Sequence, residues 1–162
     1  MEQNTDSTHD NNIDNNIQVV KHDVNITKDH ISIIKNAANR VYEQLKTGHN
    51  ERIYHKAFVY ELICLGYNLD TEMNIIVKYI DSKGKSHNLE TERIDIFIHD
   101  CNILIELKAI QKEINNHEKA QVEKYINELN KLNINVSKAI VINFPQPNNK
   151  TIPKEIEFYV HI

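Results

Sequence analysis

Residues 93–109 read RIDIFIHDCNILIELKA. Ile94, Ile96 and Ile98 alternate with Asp95 and Phe97, Asp100 and Asn102 break the run, and Ile103 to Leu107 begin another. Alternation with period 2 is the mark of a strand, while Asp and Asn favour turns. The segment is therefore expected to fold as an antiparallel hairpin, RIDIFI against ILIEL. Successive strand side chains point to opposite faces, so Glu106 and Lys108 share one face and Leu107 turns to the core. Asp95, on the partner strand, is placed to converge on them.

Helices are expected on either side of this hairpin. Upstream, Ile31, Ile34, Ala38, Val41 and Leu45 recur at helical spacing, with Gly48 just beyond. A second helix is expected from about Asn50 to Leu65, closed by Gly66 in a left-handed cap. Residues 73–80, MNIIVKYI, are rich in strand-forming residues and are followed by the turn chemistry of DSKGK. Downstream, Ile114, Gln121, Val122, Tyr125, Leu129 and Leu132 support a third helix. KAIVINF then reads as a buried strand and EIEFYVHI as a last one. The expected architecture is an α/β domain with a central mixed β-sheet flanked by helices, in the order helix, helix, strands, helix, strand.

Composition bounds the function. A chain of 162 residues with 40% hydrophobic content supports one domain with a real core. Residues 1–26 are rich in Asn, Asp, Ser and Thr and are expected to form a flexible acidic and polar tail ahead of a domain spanning 27–162. Glu2, Asp6, Asp10, Asp14 and Asp23 against Lys21 account for the whole net charge of −4, leaving residues 27–162 balanced. Neutrality is compatible with a local basic groove and gives no positive sign of one. Cys64 and Cys101 are too few for a disulfide framework or a four-cysteine metal site. There is no apolar run of membrane-spanning length, and the polar start lacks the pattern of a signal peptide. The expectation is a soluble intracellular protein, cytoplasmic or, for a viral source, in the virus factory or virion.

Two carboxylates and a lysine form a chemical set. Asp95 and Glu106 suit Mg²⁺ or Mn²⁺, hard cations that prefer oxygen ligands, and such an ion lowers the pKa of bound water and neutralises phosphate charge. A lysine beside them orients the water or stabilises charge on the phosphoryl oxygens. Taken by themselves, the three residues read more readily as a salt-bridged polar face on a half-exposed sheet, since most charge pairs on strands are solvated.

The surroundings add weight. Gly48-His49-Asn50-Glu51-Arg52-Ile53-Tyr54, then Arg93-Ile94-Asp95, then Ile105-Glu106-Leu107-Lys108-Ala109, then His117-Glu118 with Gln121 and Tyr125 stand in this order. Over about Ile31 to Phe144 the chain resembles the GxxExxY family, a RecB-like branch of the PD-(D/E)XK nuclease superfamily. That resemblance implies a restriction-endonuclease-like core and metal-dependent hydrolysis of phosphodiester bonds. It makes Asp95, Glu106 and Lys108 the catalytic residues, and Glu51, Asp95, Glu106 and the Leu107 carbonyl the metal ligands. It also places His117, Gln121, Tyr125, Tyr54 and Arg93 along the site. Packing is an equally good role for Tyr125, and tyrosines at helical positions such as Tyr54 more often pack than stack on bases.

The chain departs from the family pattern at Asn50, where a second glycine is common, and Asn tolerates the left-handed geometry better than most residues. Glu92 adds a carboxylate expected to face away from Asp95 and lie at the surface. The implied partner is nucleic acid, DNA first, with no membrane, and a domain this small with an exposed terminal strand is a candidate homodimer. The competing readings are a catalytically silent nuclease-fold protein that binds nucleic acid or serves in assembly, and an interaction module carrying an acidic tail.

Overall fold

The structure is a computed structural model that describes residues 29–148, 150–153 and 155–162; the expected tail over residues 1–26 lies outside these. Two helices come first, α1 (His30–Leu45) and α2 (Glu51–Cys64). Each is started by a side chain that accepts a hydrogen bond from a first-turn N–H: Asp29 from Ser32 and Asn50 from Ile53. At the other end of α2, Gly66 has φ +84, and the Tyr67 and Gly66 N–H groups donate to the Leu62 and Ile63 carbonyls. This is the Schellman closure anticipated from glycine's freedom at positive φ.

Three strands follow, β1 (Leu69–Ile80), β2 (Ser86–Ile98) and β3 (Ile103–Lys108), then α3 (Asn116–Lys131), β4 (Lys138–Asn143) and β5 (Glu157–His161). The sheet runs β1-β2-β3-β4-β5, antiparallel except for the β3–β4 pair, which α3 links by a crossover. The sheet is thus mixed and central, as expected. Strand β2 is longer than expected: it begins at Ser86, and its first half pairs with β1 in an exposed arm. At the arm's tip the Asp81 carboxylate accepts from the Lys83 and Lys85 N–H groups.

The core lies on both sides of the sheet. Helices α1 and α2 press Ile34, Ala38, Tyr54, Phe58 and Leu62 onto Ile96, Ile98, Ile105, Leu107, Ile140 and Ile142. Helix α3 presses Val122, Tyr125 and Leu129 onto Ile75, Ile94, Phe97, Leu104 and Val141. Ile94 therefore packs opposite Ile96 and Ile98, whereas simple alternation puts the three together. The exchange of faces happens at Glu72 and Asp95, facing positions that drop out of the β1–β2 ladder, with Glu72 at φ +54. As a result Glu92 meets α3, where Lys124 approaches it to 2.7 Å, instead of lying at the surface. No helix among the described residues is long and apolar enough to cross a membrane.

Candidate active site

The β2–β3 ladder holds for only three pairs, Ile98↔Ile103, Phe97↔Leu104 and Ile96↔Ile105. Beyond them the strands part. Strand β2 leaves with β1, while β3 continues beside β4 through Glu106↔Val141, Leu107↔Ile142 and Lys108↔Asn143. Across the gap the Asp95 carboxylate takes the place of the missing ladder partner and accepts from the Leu107 N–H at 2.8 Å. In a strand the N–H and C=O of one residue point the same way, so the Leu107 carbonyl faces this gap too.

Glu106 and Lys108 share the α3 face of β3, as their spacing requires. Glu106 is 3% exposed, and its Oε1 accepts from Lys108 Nζ at 2.7 Å and from Gln121 Nε2 at 2.8 Å. Its Oε2 is buried with no hydrogen-bond partner among the described residues. Burial, reinforced by the negative charge of Asp95 and opposed by Lys108, pushes the Glu106 carboxyl up to about 7. Burial works to lower the Lys108 ammonium, but the charge and hydrogen bond of Glu106, with Glu51 and Asp95, outweigh it and raise its pKa.

Glu51 is the first residue of α2, on the opposite side of the gap. The protein behind its carboxylate pushes its pKa upward; Lys108 opposes this and Asp95 adds to it, so the three groups sense one another. His55, one turn along α2, places Nε2 at 3.2 Å from the Asp95 carbonyl. Sequence reasoning singles out no role for His55; its separation of four residues from Glu51, which puts both on one helix face, is the signal that could have found it. Gln121 also donates to the Tyr125 hydroxyl at 2.9 Å, and that hydroxyl donates to the Arg93 carbonyl at 3.2 Å, so α3 is tied to β2 behind Glu106.

The remaining expected lining residues sit elsewhere. Tyr54 is fully buried, stacked on Phe144 with ring centroids 4.6 Å apart, and its hydroxyl donates to the Lys46 carbonyl at 2.6 Å. It is a core residue, because the hydroxyl's need for a partner is met inside the α1–α2 connection. The Arg93 side chain turns to Glu72, 3.4 Å away, and only its carbonyl joins the site. His117 stands at the start of α3 with its side chain 84% exposed, beside Gln121 and Lys124 but not in contact with Glu106.

A divalent cation would find a partly built seat. Among the described residues no three His, Cys, Asp or Glu side chains are gathered closely enough to hold a metal ion unaided. The buried, unpartnered Glu106 Oε2 next to Asp95 is nonetheless a donor that positive charge would satisfy. One or two carboxylates completed by water and substrate oxygens is the coordination that Mg²⁺ favours. The residues present therefore fit such an ion.

A search of the curated proteins found no match. A solved structure described as "Crystal structure of SSO0001" is similar over 80% of this chain and 75% of that one, at 15% identity and a TM-score of 0.47, too loose a likeness to carry an argument. The family model described as the PD-(D/E)XK nuclease superfamily matches residues 28–155 and so takes in every described strand and helix except the last strand, β5. With a mixed five-stranded sheet flanked by helices, the restriction-endonuclease-like arrangement, the chain belongs to the PD-(D/E)XK nuclease superfamily.

Proposed function

We propose that the chain is a metal-dependent nuclease of the GxxExxY branch that hydrolyses phosphodiester bonds of DNA. The observation that carries this reading is the meeting, where β2 and β3 part, of Asp95, a buried Glu106 with one unpartnered oxygen, and Lys108 at 2.7 Å from Glu106. A salt-bridged surface cluster would not leave a carboxylate 3% exposed with an oxygen unmet.

In this reading Asp95 and Glu106, with Glu51 from α2 and the Leu107 carbonyl, would hold Mg²⁺ or Mn²⁺. The bound ion would supply an activated water and neutralise charge on the scissile phosphate. Asp95 is held in place by the Leu107 N–H and Glu106 by Gln121, so neither carboxylate must reorganise when substrate arrives. Lys108 brings its ammonium to the same place and meets negative charge developing on the phosphoryl oxygens. Gln121 and Tyr125 are positioning residues that act through Glu106 and the Arg93 carbonyl.

The test is cleavage of single-stranded DNA, double-stranded DNA and RNA in Mg²⁺, Mn²⁺ or EDTA, by wild type, Glu106→Ala and Lys108→Ala. Cleavage that needs the metal and disappears in both variants is the expected result. A folded protein that cleaves nothing under any of these conditions would overturn the reading in favour of a silent binding or assembly protein.

A further inference from the structure

The two flanks of the gap differ in how their cations are engaged. On the α3 side Lys124 is held by Glu92 at 2.7 Å, and Lys119 lies over the Tyr159 ring, 4.8 Å from its centroid. On the α2 side Arg93 is held by Glu72 and Arg40 by Glu61. Arg52 and Lys56, by contrast, are exposed and form no ion pair with any described residue. They line a groove between α2 and β1 together with His55, Tyr60 and Glu72. One of its lining residues, His55, contacts the Asp95 carbonyl at 3.2 Å, which sets the groove beside the gap.

Arg52, Lys56 and Tyr60 are spaced by four residues each, so they form one stripe along α2, about 12 Å long at 1.5 Å per residue. The stripe starts one residue from Glu51 and runs away from the gap. Tyr60, at its far end, is 69% exposed and presents a free ring face. Two uncommitted cations followed by an open ring is the combination that holds an unpaired strand, with positive charge along the phosphates and a flat surface for a base. A duplex offers phosphates to Arg52 and Lys56, but its bases are stacked on one another and give Tyr60 nothing to cover.

We infer that a single strand of DNA enters the site along α2, with Arg52 and Lys56 against its phosphates and Tyr60 stacked on one of its bases. This rests on the nuclease reading above and adds to it the strandedness and the direction of approach. The α3 flank, its lysines already engaged, contributes little.

The test is the fluorescence anisotropy of a labelled single-stranded oligodeoxynucleotide, and of the corresponding duplex, titrated in EDTA across a salt series. Proteins compared are wild type, Arg52→Gln/Lys56→Gln, Tyr60→Ala and Lys124→Gln, all altered at exposed positions. Wild type should prefer the single strand. The double substitution should flatten the slope of log affinity against log salt by about 1.4, from roughly 0.7 for each of the two phosphates no longer neutralised. Tyr60→Ala should weaken binding about tenfold with the slope kept, since stacking involves no counterion. Lys124→Gln should alter neither quantity. Preference for duplex, a slope that survives the double substitution, or a slope carried by Lys124 would overturn the inference. If wild type cleaves DNA while these variants bind like it, the groove fails and the nuclease reading stands; if wild type neither binds nor cleaves any nucleic acid, both fail.

Discussion

Glu106→Gln should change how stability depends on pH more than it changes stability at any one pH. In the folded protein burial, together with Asp95 and against Lys108, pushes this carboxyl from an ordinary 4.5 up to about 7. The folded state therefore holds the proton more tightly than the unfolded chain does. The stabilisation this gives is complete below pH 4.5 and is lost as the pH rises through about 7. At 1.36 kcal/mol per pH unit, that displacement is worth about 3 kcal/mol between pH 4.5 and pH 8. Glutamine keeps the shape and can still accept from Gln121 and Lys108, but has no proton to lose. Leaving Lys108 without its anion carries a cost of its own, which is uniform across this range while the lysine stays charged. The readout is therefore the slope. Urea denaturation followed by circular dichroism, in EDTA at several pH values, should show wild type losing stability relative to the variant by about 3 kcal/mol as pH rises. A difference that stays flat would refute the claim that Glu106 is a buried carboxylate short of partners. Adding Mg²⁺ at alkaline pH should then stabilise wild type and leave Glu106→Gln nearly unmoved.

Three further outcomes are expected. Gln121→Ala removes one of two donors to Glu106 Oε1 and should lower kcat by roughly tenfold or more with KM little changed, measured on the DNA substrate. Tyr54→Phe removes the hydroxyl bonded to Lys46 at 2.6 Å and should cost about 1 kcal/mol in chemical denaturation while cleavage stays at the wild-type rate, separating core from site. Gly66→Ala places a side chain at φ +84 where nothing lies within 4 Å of the new atom, so backbone strain alone should lower stability by about 1–2 kcal/mol, read as a fall in Tm.

Much of this arrangement is legible from residue order because it follows from periodicity. The helices announce themselves through Ile34, Ala38 and Val41, through Phe58 and Leu62, and through Val122, Tyr125 and Leu129, all of which are buried. Glu106, Leu107 and Lys108 obey strand alternation, and so the pairing of the carboxylate with the lysine can be read in advance. What escapes has local causes. Residues 86–92, SHNLETE, form a strand with almost no buried face, so they carry no hydrophobic alternation to detect. The face exchange at Glu72 and Asp95 depends on a left-handed backbone at a glutamate, a conformation no residue type there foretells. Tyr54 belongs to the same short motif as Glu51 and lies three residues along the helix, which is what suggests a place along the site; its ring stacks on Phe144 and its hydroxyl reaches the Lys46 carbonyl, partners that helical spacing does not foretell. Arg93 escapes because Glu72, its partner, lies on another strand.

The bond from the Leu107 N–H to Asp95 gives the centre an uneven tolerance of decay. Losing Asp95 would strand a main-chain donor at the point where the strands part, at about 1–3 kcal/mol. Losing the Glu106 charge would relieve a buried anion instead. A lineage no longer selected for cleavage would thus be free to discard Glu106 while still being held to Asp95 by the fold. In a descendant with a broken centre, a surviving Asp95 would be a relic of architecture and no sign of remaining activity.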